Sequence, residues 1–182
     1  MVGSPVTVTN SAAPAPNALL RILDIDTDHA QAALANMLLV VWRKETKLSA
    51  FKRVSEHMLA LSRAHACGVG LVHLVSKGAV PPDSETKREF LSLMAKAEGH
   101  VKHYSVVHEA TGFSAAIFRA LVSGVYLFAQ PRFPHQAFSS LAEAAAWHVQ
   151  QQRDLRQTPF DEAALVSALQ SLEARTAAFV EG

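Results

Sequence analysis

Hydrophobic positions along this chain follow two rhythms. The first is the short unbroken apolar run: MLLVVW at Met37–Trp42, VGLVHLV at Val69–Val75, and the stretch Val101–His108. Runs of this kind, rich in valine and leucine, mark strands covered on both faces. Leu19–Ile25 (LLRILDI) reads as a further strand, and His135–Phe138 as a short one at a sheet edge. Thr27–Asn36 has no deciding rhythm; it fits a short helix capped by Asp28 or a turn and a second short strand.

The second rhythm is the three- and four-residue spacing of an amphipathic helix. From Ser49, a plausible cap, Phe51, Val54, Met58 and Leu61 recur on one side, with Lys52, Arg53, Glu56 and Arg63 on the other, and Gly68 is a stop. A second helix, Glu85–Ala97, follows Asp83 or Ser84 as cap and turns Phe90, Leu91 and Met94 inward. Phe113–Ala129 is apolar on almost every face. Ser140 caps Leu141–Gln151, with Ala144 and Trp147 buried. Asp161–Val180 carries Leu165, Leu169, Leu172 and Phe179 along one stripe.

Strands followed by alternating helices and strands imply right-handed crossovers and a largely parallel sheet. The expected fold is therefore α/β: a small four- to five-stranded mixed, mainly parallel sheet with packed helices, plus a C-terminal helix. Residues 1–17 read as a disordered N-terminal tail, 18–151 as the α/β domain, and 152–182 as a linker and C-terminal amphipathic helix.

Composition narrows the function more by exclusion than by assignment. With 182 residues, 49% hydrophobic and 18% charged, the chain has the make-up of a globular domain. Its formal net charge is +1 and no basic stripe is visible, which speaks against nucleic acid. Residues 1–18 do not read as a secretory signal, and the most apolar stretch, Ser114–Phe128, is too short to be expected to span a membrane and contains Arg119. Cys67 is the single cysteine, so no disulfide forms within the chain, and it reads as a buried inert thiol. A cytoplasmic location is expected.

No nucleophile elbow, P-loop or dinucleotide fingerprint occurs, and no catalytic residue is assigned. The nine histidines suggest a metal, but their spacing does not: His103 and His108 fall on opposite faces of a strand, His57 and His65 are too far apart, and His135 and His148 are isolated. No metal site and no cofactor are expected.

Three sets of residues remain as candidates. His108 and Glu109 end a parallel strand, where open α/β sheets place ligands. Gly112 then opens a helix that could hold an anion, and Arg119 is a charge in an apolar helix that needs a partner. Together they outline a pocket for a small apolar or anionic ligand, or else a structural ion pair. Ser84 at a helix start is a possible phosphorylation position or a plain cap. On the helix 113–129, Ile117, Leu121, Val125 and Phe128 are expected on the sheet, leaving Phe118, Val122, Tyr126 and Ala129 on the other side, the first three as interface candidates. Its cover would be the C-terminal helix, a second copy or a protein partner, with a homodimer favoured.

The segments NMLLVVWRKET, GAVPPDSETKREF, VVHEATGFSAAIFRALVSGV and FPHQAFSSLAEAAAWH, in this order of elements, resemble the STAS superfamily and its SpoIIAA-like bacterial branch. The resemblance implies a non-enzymatic regulatory or protein-interaction module. In antagonist members a serine at a comparable helix start is phosphorylated by a partner kinase. Here Glu85, Thr86 and Lys87 follow Ser84 where those members have Gly–Leu, and the loop before it is longer.

Overall fold

The computed structural model describes residues 20–108, 120, 122–124, 127–157 and 160–179. One six-stranded sheet organises them, with its strands in simple sequence order. β1 (Leu20–Ile25), β2 (His29–Leu34) and β3 (Met37–Trp42) form an antiparallel meander. β4 (Val69–Val75), β5 (Val101–His108) and β6 (His135–Phe138) then continue the sheet in parallel with β3. The α/β class and the mixed sheet match the pattern of the sequence. The strand count does not, because six strands form where four or five are expected.

The extra strand is β2, from the stretch whose rhythm decided nothing. It alternates cleanly, but its two faces meet two different cores. Ala30, Ala32 and Leu34 enter one, while His29, Gln31 and Ala33 face the other, and all six are buried. Two buried polar residues hide the period-two signal. Its turn to β3, at Ala35 (φ 51°) and Asn36, also lacks the glycine that usually announces a hairpin.

Strand order dictates the layers. Right-handed crossovers that all advance in one direction place their helices on one face of the sheet. α1 (Leu48–Ala64) and α2 (Ser84–Ala97) lie together there over Leu38, Val40, Trp42, Leu71 and Tyr104. Helical residues 122–124 belong to the same side through Val122. The opposite face, with Met37, Leu39, Val41, Val72 and Leu74, is covered by α3 (Leu141–Asp154) and α4 (Glu162–Ala178). The C-terminal helix is thus part of the main core, through Leu165, Leu169 and Leu172. No described helix is long and apolar enough to cross a membrane.

Two helix starts depart from their expected caps, and the second helix keeps one of its two candidates, Asp83. α1 follows Lys47 without a side-chain cap, and the Ser140 hydroxyl makes no cap bond to α3, only the backbone carbonyl accepting the Ala144 amide. Asp83 accepts from the Thr86 amide at 2.7 Å and Asp161 from the Ala164 amide at 2.7 Å, so the carboxylates do the capping. Ser84 is the exposed first residue of α2, beside the cap. Cys67, expected to be buried, is exposed in the turn after α1.

Candidate functional site

The carboxyl ends of β3, β4 and β5 present aromatic side chains to the α1–α2 layer. Trp42, His73 and Tyr104 come from the three strands, Phe51 from α1 and Phe90 from α2. Trp42 stacks on Phe51 with ring centroids 4.7 Å apart, and His73 meets Tyr104 edge-on at 5.3 Å. Between them lies a cavity of about 30 Å³, closed by Thr46, Val75, Pro82, Val106 and Val122. That is room for a water or two, well short of the roughly 150 Å³ that holds a benzene.

His73 is the polar feature of this cavity. Its Nδ1 lies 3.3 Å from the Tyr104 hydroxyl, and its Nε2 has no hydrogen-bond partner. Burial without a compensating charge pushes its pKa down to about 3, so the ring is neutral across the ordinary pH range. No pattern singles out His73 in the sequence: inside VGLVHLV it looks like one polar residue in a core strand.

Of the expected ligand residues, only His108 lies among the described ones. It is buried at the end of β5, opposite Val75, on the same face as Tyr104 and Val106 and therefore at the cavity's carboxyl edge. Glu109, Gly112, Arg119, Phe118 and Tyr126 lie outside the described residues. Ser84 is two residues from Pro82 on the cavity wall.

Val122 corrects the expected facing of the apolar helix. It was assigned to the outward side, yet it is 5% exposed and lines the cavity. Phe128 was assigned to the sheet, yet it is 80% exposed, with Leu127 at 70% beside it. Ala129, expected outward, packs against the core. In a helix apolar on all sides the pattern carries little information about which stripe turns inward.

A second polar cluster sits under α3, on the other side of the sheet. His103 Nδ1 lies 2.7 Å from His148 Nδ1, and His148 Nε2 lies 2.7 Å from Ser105 Oγ. The Ser–His contact resembles that of an activated nucleophile. All three side chains are fully buried, so no substrate reaches the hydroxyl. Burial lowers the pKa of His103 to about 4 and that of His148 well below its usual range, with the His103 charge adding to the second shift. Two histidines that look unrelated in the sequence, one on a strand and one on a helix, are joined here by the packing of α3 on β5. Among the described residues no group of three or more His, Cys, Asp or Glu is placed to hold a metal ion.

A third cluster ties the β1–β2 hairpin to α1. His29 is fully buried, with Nε2 2.8 Å from Asp24 and Nδ1 2.9 Å from Asp26, and Arg53 closes on Asp24. Burial works to raise the two carboxyls. Hydrogen bonds and positive charge from Arg53 and His29 outweigh it at Asp24, and the Asp28 and His29 amides with the His29 ring do so at Asp26, so both titrate below the usual range. The cluster fixes the turn and leaves no open coordination site.

No protein-family model, no curated protein and no solved structure matches this chain. Any functional reading therefore rests on the geometry and on the resemblance in the sequence.

Proposed function

We propose that this chain is a cytoplasmic, non-enzymatic regulatory module of STAS-like type that acts through protein–protein contact, with a second copy of itself as the first partner. One observation carries the reading. The C-terminal helix is engaged on the opposite face of the sheet, and Leu127 and Phe128 are exposed among the described residues. Adjacent exposed large apolar side chains at a helix end are a contact surface more readily than a solvated one. Ser84, exposed beside the Asp83 cap, is an accessible position at which an added phosphate would change the surface read by a partner. Sedimentation equilibrium tests the proposal: self-association that is lost in Leu127→Glu/Phe128→Glu supports it, and a wild-type monomer at every concentration removes it.

A second reading is favoured by His73. A buried ring nitrogen without a partner, in an aromatic cavity at the carboxyl edge of the sheet, suits a small and mostly apolar ligand with one polar atom. Such a ligand would need the cover at Pro82 and Val122 to move, given the cavity's present volume. Native mass spectrometry for a co-purified molecule separates the readings. A stoichiometric adduct lost in His73→Phe selects the ligand, and a bare mass selects the contact module.

A further inference from the structure

α3 is anchored differently from its neighbours. α1 brings Phe51, Val54, Met58 and Leu61 to the sheet, and α4 brings three leucines. α3 brings one leucine, one valine and two alanines fully under cover, with Trp147 half-buried against Phe138 and His103. Its remaining buried residues are polar: His148 on the β5 side, and Gln152, which donates to Asn36 Oδ1 at 3.2 Å. A larger share of the attachment of α3 therefore rests on these two polar pins than in α1 or α4.

The His148 pin has a fixed proton count. Two Nδ1 atoms at 2.7 Å share a single proton between them. One more proton puts a cation in a fully buried site, and a second sets two N–H groups head to head. Among the described residues, the surrounding elements offer no counter-charge. β3 presents Met37, β4 Gly70, β5 Ser105, β6 Gln136 and Phe138, and α4 an apolar side. The charged residues of α3 itself, Glu143, Arg153 and Asp154, are exposed. Once α3 lifts from β5, both rings reach water and can each take a proton.

We propose that α3 is an acid-releasable cover: uptake of protons by the His103–His148 pair frees residues 141–154 from the sheet while the β3–β4 core and the α1–α2 layer stay folded. Release uncovers the β5–β6 end of the second sheet face around Ser105 and Val107. It gives the molecule a surface at low pH that is closed at neutral pH. Linkage sets the size of the effect. Histidines that titrate near 6.5 when free and cannot charge when docked raise the opening equilibrium about 30-fold each at pH 5.

Hydrogen exchange read by mass spectrometry on the full chain, at pH 7.5 and 5.0 with intrinsic rates corrected, tests this. The expected result is that protection of 141–154 falls at least tenfold on acidification and stays below that of 37–42 at pH 5.0, where global unfolding remains the rarer event. Equal protection of the two segments at pH 5.0, or no loss in 141–154, overturns the proposal. In His103→Leu/His148→Leu the loss in 141–154 should vanish, and its persistence also overturns the proposal. Should that variant fail to fold, the single variant His148→Gln takes its place: the loss in 141–154 should shrink about 30-fold, His103 keeping its own share, and an unchanged loss overturns the proposal.

Discussion

Gly70 is the residue whose replacement probes the packing account most sharply. It sits inside β4 with ordinary strand geometry, so alanine there meets no backbone penalty. In an unobstructed strand the change would stabilise by about 0.5–1 kcal/mol. At this position a Cβ would stand inside van der Waals contact of Met37 Sδ and His103 Cε1, and 2.9 Å from His103 Nε2. Met37 is flexible and can give way. His103 cannot, because its ring is held by His148, which is held in turn by Ser105. Overpacking of this kind costs about 1–3 kcal/mol. Breaking the imidazole contact leaves buried polar atoms unpaired for about 1–3 kcal/mol more. Net of the backbone gain, Gly70→Ala should destabilise by about 3 kcal/mol, read from urea unfolding followed by circular dichroism. The cause is checked in the same assay by repeating the change in a His103→Ala background. There the ring is gone, and the added methyl should cost nothing, giving a coupling of about 3 kcal/mol. A neutral Gly70→Ala, or an equal cost in both backgrounds, would refute the idea that the glycine exists to seat His103.

Three other expectations rest on buried or capping groups. His73 stays neutral in the fold, so the unfolded chain binds more protons once the pH drops below the free histidine value of about 6.5. Its contribution is therefore fully present above that pH and is lost progressively on the way down to about 3. Between pH 7 and 5 the loss from His73 alone is about 2 kcal/mol, and His73→Phe should flatten the measured stability–pH profile by that amount. Among the helix caps, Asp161→Ala should cost about 1 kcal/mol in thermal or urea unfolding, because its carboxylate accepts the Ala164 amide. Ser140→Ala at the start of α3 should change little, since that hydroxyl makes no capping bond.

Legibility in the sequence followed how each residue is buried. β3, β4 and β5 were readable because apolar side chains on both faces leave an unbroken run, and α1 because its stripe meets a single core. β2 was not, because His29 and Gln31 are polar yet buried, bonded to Asp24 and Asp26 in one case and to the Ala50 carbonyl and His57 in the other. The assignment of the two C-terminal helices to the second sheet face depends on the sequential strand order, which local pattern does not encode. The same holds for the site residues. His108 stands out because it ends a strand, whereas His73, His103 and His148 gain meaning only from rings that arrive from elsewhere in the chain. The outward face of the apolar helix was misassigned for the converse reason: with hydrophobic residues all round, Val122 and Phe128 are equivalent in pattern and are told apart only by packing.

The exposed pair Leu127 and Phe128 is where this account can be tested most directly. Sedimentation equilibrium over a wide concentration range should return a reversible dimer for the wild-type chain. Leu127→Glu/Phe128→Glu should return a monomer whose melting temperature, taken at a concentration where both are monomeric, is unchanged, because these side chains are 70% and 80% exposed. A wild-type chain that remains monomeric throughout, or a double variant that still dimerises, would contradict it.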